Sequence, residues 1–359
     1  MSEQALEQLR KRIDELDEQI QALINERADC ALQVGKVKHR DNDPVFYRPE
    51  REVQVLRRVR ERNTGPLADE QVARLFREIM SACLALEQPL RIAYLGPEGT
   101  FTQAAALKHF GDSVELVALD TIAEVFREVE ASGANFGVVP VENSTEGVIN
   151  HTLDMFLRSP LSIAGDVELP VHHQLISQQT DLSAIKQVCA HQQALAQCRE
   201  WLDINLPHAE RVAVGSNAKG ASMAAGNADI ATIASDVAAR LYELNTLAQN
   251  IEDDPNNTTR FLIVGNQEIG PTGQDKTSLM LSAHNQSGAL FRLLEPLARH
   301  GVSMTRIESR PSRMSKWDYV FFVDIEGHVQ DDNVAAVLKE LEKEAVQIKV
   351  LGSYPRSGI

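Results

Sequence analysis

The feature that most constrains this chain stands at its beginning. From Ala5 to Lys38 there is no proline and only one glycine, Gly35. Apolar residues recur at Leu6, Leu9, Ile13, Leu16, Ile20, Leu23, Ile24, Ala31, Val34 and Val37, the spacing of one helical face. A single helix of this length runs about 50 Å at 1.5 Å per residue. It cannot bury its stripe against itself, so it requires other helices, and a second chain is the natural source. Turn residues Asp41 to Pro44 follow, then a second helix after Pro49 through Val53, Val55, Leu56 and Val59. Asn63 to Pro66 breaks it. A third helix is expected to be capped by Asp69 and to carry Val72, Leu75, Phe76, Ile79, Cys83 and Leu86. Residues 1–88 thus read as a helical domain without strands.

The period changes at Arg91. Ile92 to Leu95 is a short apolar run that opens into Gly-Pro-Glu-Gly, and similar strand candidates recur at 136–141, 211–214, 229–233 and 261–264. Helical stretches at 122–130 and 195–202 alternate with them. Alternation of this kind predicts an α/β domain over 91–267 with ligand loops at strand ends. The polar stretch 266–276 reads as a linker. Beyond it, strand, helix, two strands, helix and strand follow at 278–283, 288–300, 302–310, 319–325, 332–344 and 347–351, with Pro296 expected to bend the first helix. That is the βαββαβ order of a ferredoxin-like domain, over 277–355.

Charge and composition exclude some partners. A net charge of −15 argues against a nucleic-acid or anionic-membrane partner, which would select a basic face, but not against small acidic substrates, which a local cluster of Arg and Lys can bind. No apolar run approaches the length of a membrane span, and the N-terminus is charged throughout, unlike a signal peptide. The four cysteines, Cys30, Cys83, Cys189 and Cys198, form neither a Cys-x-x-Cys pair nor a zinc spacing, so they read as reduced thiols of a cytoplasmic protein. His172 and His173 lie side by side without a carboxylate cluster and point to opposite faces if extended, which argues against a metal site. No cofactor motif occurs; a dinucleotide fingerprint after a strand, which a fused dehydrogenase would need, is absent.

Several residue sets carry chemistry. Arg27 and Lys38 stand eleven residues apart, nearly on one helical face, close to the apolar stripe of Ile24, Ala31 and Val34. Two cations beside an apolar seam suggest an anion-holding cavity within a bundle. Arg10 lies about 25 Å from Arg27 along the helix, so it reaches such a cavity only from an antiparallel partner. In the α/β region, Gly96 to Thr102 places a loop and two threonine hydroxyls at a helix start, where backbone N–H groups receive carboxylates. Pro140 to Gly147 crowds polar groups at a strand end, and Asn257 to Phe261 leads into the last strand.

These segments resemble known families. Leu9-Arg10, Ile13-Asp14, Glu26-Arg27, Val34-Gly35-Lys36 with Lys38, and Pro49-Glu50-Arg51-Glu52 are similar to the all-helical chorismate mutase domain. The resemblance implies an intertwined dimer in which Arg27, Lys38, Glu52 and Glu87 line a site and Arg10 arrives from the other chain, with Arg51 and Cys83 beside it. Chorismate rearrangement needs no nucleophile or metal, only a folded substrate and donors for the developing ether-oxygen charge. Lys38 would donate to that oxygen, and Glu52 would accept from the substrate hydroxyl. Glu87 stands where many relatives have Gln and can donate only while protonated; Cys83 stands where many have Ser.

Gly96-Pro97-Glu98-Gly99-Thr100-Phe101-Thr102, Pro140-Val141-Glu142-Asn143-Ser144 and Thr259-Arg260-Phe261, in that order, resemble the prephenate dehydratase domain, whose two lobes are of the periplasmic-binding-protein type. By that resemblance Thr259 is the acid or acid relay. Thr100, Asn143, Ser144 and Gln197 would hold prephenate, and Arg260 would act as a carboxylate contact or a structural clamp. Ala190 replaces a serine found in relatives, and Glu142 is read as an ion-pair partner or a charged ligand. Asn285, Gly288, Ala289 and Leu290, with Glu308, Ser309, Arg310 and Pro311, resemble the ACT regulatory domain and imply a site for L-phenylalanine. Together the three resemblances imply the bifunctional family that makes prephenate from chorismate and phenylpyruvate from prephenate, as a homodimer or higher homo-oligomer. A small-molecule sensor, or an arogenate dehydratase, would use the same folds.

Overall fold

The computed structural model describes residues 3–40, 47–284, 286–311 and 319–357, the side chain of residue 39 apart. The expected turn at 41–44 and Asn285 lie outside these residues. The chain divides into two compact units, 1–90 with 110–115, and 91–109 with 116–359.

Among its described residues the first unit holds three helices, α1 (Glu3–Arg40), α2 (Pro49–Arg62) and α3 (Asp69–Glu87). Proline opens α2, where its missing N–H is harmless. Asp69 does not cap α3. Ala68 occupies the cap position, and the Gln71 carbonyl oxygen receives the Ala68 N–H instead. Asp69 is already inside the helix, where its carboxylate accepts from Asn63 Nδ2. The short helices bury Leu56, Val59, Ala73 and Cys83. The long one does not cover its stripe: Leu9, Ile13, Ile20 and Leu23 are 56%, 56%, 54% and 64% exposed. Helix α1 passes through Gly35 unbroken because it lies against α3 there. A Cβ at Gly35 would stand 3.2 Å from Cγ of Glu87, so the glutamate side chain would have to give by a few tenths of an ångström.

Among its described residues the second unit contains three sheets. One orders Glu115–Leu119, Arg91–Leu95, Phe136–Asn143, Thr258–Gly265 and Ser162–Pro170, and a second orders Asn245–Ala248, Gln174–Ser177, Ile230–Ala234, Gln187–His191 and Glu210–Val214. The chain enters the second sheet through Val171 to His173 and leaves it through Ile251 to Asn257. The two passages are tied by Val171 N–H to Asn257 O and Ile251 N–H to His173 O. The central strand Phe136–Asn143 is buried on both faces over nearly its whole length, as its continuous apolar run requires. The helix expected at 195–202 is two pieces, Gln192–Gln197 and Arg199–Asn205, separated at Cys198. The Asp253 carboxylate caps the second piece by accepting from Glu200 and Trp201 N–H.

The third sheet orders Met304–Pro311, Tyr319–Glu326, Asp275–Ala283 and Gln347–Pro355, all antiparallel, with helices Ala289–Arg299 and Asp332–Glu344. This is the expected βαββαβ order. One sheet face packs on the helices through Leu279, Leu281, Leu293, Leu297 and Val337. The other shares a core with the first sheet, where Met280, Phe322, Leu351 and Tyr354 meet Leu153, Phe156 and Leu262. Burying a side chain of this size contributes roughly 1.5–3 kcal/mol. The stretch 266–276 is therefore no loose linker. Ile269 is buried, its carbonyl accepts from His328 Nε2, and the strand already begins at Asp275.

Candidate functional sites

In the helical unit, α1 and α3 bring Lys38 and Glu87 together. Lys38 Nζ lies 3.9 Å from Glu87 Oε2, an ion pair too long for a hydrogen bond, and that buried oxygen has no hydrogen-bond partner. Burial lifts the Glu87 carboxyl above the ordinary glutamate value, and Lys38 and Arg27 only partly oppose it. Cys83 is buried one turn earlier on α3. Glu52 is engaged elsewhere: Arg77 Nε lies 3.4 Å from Oε1, and Tyr47 also hydrogen-bonds to it. Its pKa is raised by burial, against Arg77 and Tyr47. Arg51 is exposed, and Arg10 sits on the exposed stretch of α1. Arg27 and Lys38 thus both act on a carboxyl that burial inclines to keep its proton. Tyr47 and Arg77, which no motif singled out, hold Glu52.

In the second unit, Asn143 is the hub. Its Oδ1 accepts from Thr145 and Glu146 N–H, each at 3.0 Å, so the amide nitrogen must face the other way. Nδ2 then donates to Asn257 Oδ1 and to Thr259 Oγ1, both at 2.8 Å. Because Thr259 Oγ1 accepts that bond, its single hydroxyl hydrogen is left for another acceptor. Strand register makes this possible, since Thr259 pairs directly with Asn143 across the sheet. Ser144 Oγ receives Thr258 N–H at 2.9 Å and so braces the same strand.

Thr100 is taken up in its own loop. Its hydroxyl donates to Leu95 O and receives Gln103 N–H, fixing the helix start at Phe101. Phe101 reaches further, meeting the His173 ring edge-on at 5.8 Å. His173 is 2% exposed, and its Nε2 lies 2.9 Å from Gln197 Oε1. The neighbouring His172 faces Glu252 instead, with Nδ1 2.8 Å from Oε1. Among the described residues no three His, Cys, Asp or Glu side chains are grouped to hold a metal. Ala190 is fully buried in the strand Gln187–His191.

Arg260 follows Thr259 in the strand and therefore faces the opposite side. Its guanidinium is taken up by Asp166 at 2.8 Å, Asp324 at 2.7 Å and the Tyr354 hydroxyl at 3.1 Å. Burial works against its charge, but Tyr354, Asp166 and Asp324 outweigh this and raise its pKa. Of its two expected roles, these contacts match the clamp, for Asp324 and Tyr354 belong to the third sheet. Glu142 is likewise an ion-pair partner, 2.8 Å from Arg306 Nε.

In the third sheet's domain, Gly288 adopts φ 76 at the start of the helix Ala289–Arg299, a conformation that favours glycine. Gly288, Ala289 and Leu290 line a cavity of about 220 Å³ with Gln286, Tyr319 and Phe321. Glu308, Ser309 and Arg310 lie on the strand Met304–Pro311. Arg310 is occupied by Asp154 at 2.9 Å and the Asn150 carbonyl at 2.6 Å.

Comparison with known proteins matches all three regions in order. The family model for chorismate mutase type II matches residues 9–88, that for prephenate dehydratase 92–269, and that for the ACT domain 277–343. A bifunctional chorismate mutase/prephenate dehydratase of Pseudomonas aeruginosa is 56% identical over 357 residues, covering 98% of each chain. The crystal structure of prephenate dehydratase from Arthrobacter aurescens, in complex with L-Phe, aligns with TM-score 0.69 and 34% identity over 75% of this chain and 90% of that one. GqqA, described as a novel type of quorum quenching acylase, aligns with TM-score 0.69 and 30% identity over 74% of this chain and 98% of its own.

Proposed function

The chain belongs to the bifunctional chorismate mutase/prephenate dehydratase family, and we propose that it carries out both reactions of that family at the two sets of residues described above. The mutase is assigned to 1–88, the dehydratase to 91–267 and the phenylalanine sensor to 277–355. The likeness to GqqA illustrates that a fold does not select a chemistry. What favours the dehydratase is similarity along the full chain.

The mutase reading rests on Arg27, Lys38 and Glu87. The cations bind the carboxylates of chorismate, and Lys38 with protonated Glu87 donates to the ether oxygen as its bond breaks. Glu52 receives the substrate hydroxyl while Arg77 and Tyr47 hold it. Arg10 completes the site from a second copy, which the exposed apolar stripe of α1 supports as an occupant. The protein is thus read as a homodimer or larger homo-oligomer. Its four cysteines are free of disulfides, which supports a cytoplasmic location.

The observation that carries the dehydratase reading is the bond from Asn143 Nδ2 to Thr259 Oγ1. It leaves the Thr259 hydroxyl hydrogen for the departing oxygen of prephenate. The ring carboxylate leaves as CO₂, and the electrons of its C–C bond enter the ring. The C–O bond breaks opposite, and the hydroxyl takes up one proton to leave as water. Thr259 passes that proton on as a relay, since a threonine is a poor acid by itself. Gln197 and the N–H groups of the loop before Phe101 hold the carboxylates. L-Phenylalanine, present in the Arthrobacter relative, is placed in the cavity at Gly288 to Leu290. It regulates if it binds two states of the enzyme unequally.

Purified protein given chorismate without cofactor tests this reading. Phenylpyruvate formed and suppressed by L-phenylalanine is expected. Prephenate accumulating without phenylpyruvate would remove the dehydratase assignment, and unchanged chorismate would remove the mutase.

A further inference from the structure

His173 is a buried imidazole that makes one side-chain hydrogen bond and leaves its other nitrogen without a partner. Nε2 meets Gln197 Oε1 at 2.9 Å, whereas Nδ1 is buried and unpaired. Burying a polar ring with only half of its hydrogen bonds satisfied is unfavourable, and a leucine would fill such a core position at no comparable penalty. The surrounding structure nevertheless fixes this ring from several sides. The His173 carbonyl receives Ile251 N–H at 3.0 Å, its N–H donates to Glu252 Oε2 at 2.8 Å, and Phe101 packs edge-on against the ring. The next residue of the same segment secures the partner: Asp253 N–H donates to the Gln197 carbonyl at 2.7 Å. Three consecutive residues, Ile251 to Asp253, thus hold His173 and Gln197 against each other.

Donor and acceptor accounting gives the pair a direction. Burial lowers the His173 pKa, so the ring is neutral and carries one proton. With that proton on Nε2, the ring donates to Gln197 Oε1 and the unpaired Nδ1 is an acceptor. An amide oxygen can only accept, so the contact between Nε2 and Gln197 Oε1 requires the proton to sit on Nε2. The Gln197 amide nitrogen then faces away from the ring, and it is buried without a partner of its own. Its two N–H donors are thus left without an acceptor from the protein.

We infer that His173 is a positioning residue of the dehydratase, which through Nε2–H fixes the Gln197 amide so that its NH₂ group presents donors to an anionic oxygen of prephenate. This rests on the reading of Gln197 as a substrate contact given above. A freely turning amide would present its carbonyl to a dicarboxylate as readily as its donors, and the fixed one does not.

The test compares His173→Leu, His173→Gln, Gln197→Leu and the double His173→Leu/Gln197→Leu in the full-length chain, each with a thermal unfolding transition like that of the parent. Initial rates with prephenate are measured. His173→Leu is expected to raise KM about tenfold with little change in kcat, the effect of losing one oriented hydrogen bond to a bound anion. His173→Gln, whose side-chain N–H reaches the place of Nε2–H, should restore most of the loss. The double variant should be no worse than Gln197→Leu alone, because the histidine acts through the glutamine. Unchanged KM in His173→Leu with raised KM in Gln197→Leu would overturn the pairing and leave the site standing. Additive losses, or His173→Gln as impaired as His173→Leu, would likewise reduce the histidine to packing. Unchanged KM in Gln197→Leu would overturn both this inference and the substrate contact beneath it.

Discussion

In the two-lobed unit, Thr259 lies 116 residues after Asn143 and yet 2.8 Å from it. In the helical unit, Arg10 and Arg27 lie on one helix and yet about 25 Å apart. The first site is closed by the chain's own return through a sheet, where register sets residues from distant segments side by side. The second is written along a straight rod, which cannot fold back on itself, and its apolar stripe remains exposed over most of its length. The difference shows what each architecture can complete alone. A sheet gathers groups from distant segments within one chain, whereas a long straight helix keeps the residues along it apart.

The sharpest way to break this comparison is Thr259→Val, which keeps the shape and removes the hydroxyl. Dehydratase turnover should fall by about 10²-fold or more, the range for losing a positioned proton donor. Mutase turnover on the same sample should be unchanged. Loss of both rates would mean that the units do not work independently. Next in size, Lys38→Ala should lower mutase kcat/KM by about 10²-fold and spare the dehydratase, in line with removal of one charge-stabilising donor. Mixing this variant with Arg10→Ala chains should recover part of the activity, because mixed dimers would contain one intact site. No recovery at any ratio would place Arg10 outside the site.

Asp324→Ala tests the clamp between the sheets. It strips one carboxylate from Arg260 and leaves a buried guanidinium partly uncompensated, which should destabilise the second unit by about 3–5 kcal/mol in denaturant unfolding. Asp324 also has a pH signature. Burial pushes its carboxyl up, but Arg260 and Ser278 outweigh this and hold it below the usual aspartate value. Its contribution is therefore present above the unfolded-state value and lost as pH falls through the folded one.

The smallest effect expected is one of shape. Burial raises the Glu87 pKa, so the protonated donor persists to higher pH than in a free glutamate. Mutase rate should fall as pH rises through that raised value. Glu87→Gln, a donor at every pH, should flatten the profile, and an unchanged slope would take Glu87 out of the mechanism.

Much of this architecture was legible in the sequence where the signal is local. The period of α1, the helices at 122–130 and 332–344, and the βαββαβ order all follow from how apolar residues repeat along a few turns or strands. Misreadings arose where a nearby polar residue could act in two ways. Asp69 looked like a cap, but Ala68 took the place with Gln71 supplying the oxygen. A continuous helix at 195–202 looked equally sound, but it breaks at Cys198, beside the Asp253 carboxylate that caps its second half.

The sequence by itself determined the length of the first helix, the change to alternating strands and helices after it, the order of the last domain, and the motifs that carry Thr259, Asn143 and Lys38. Tertiary structure decided which way each side chain spends its hydrogen bonds. It turned Arg260 toward Asp166 and Asp324, gave Glu142 to Arg306, and set His173 against Gln197. Periodicity is a property of neighbours along the chain. A hydrogen-bond partner is chosen among groups that strand register and burial bring together from far apart, and no spacing in the sequence encodes that choice.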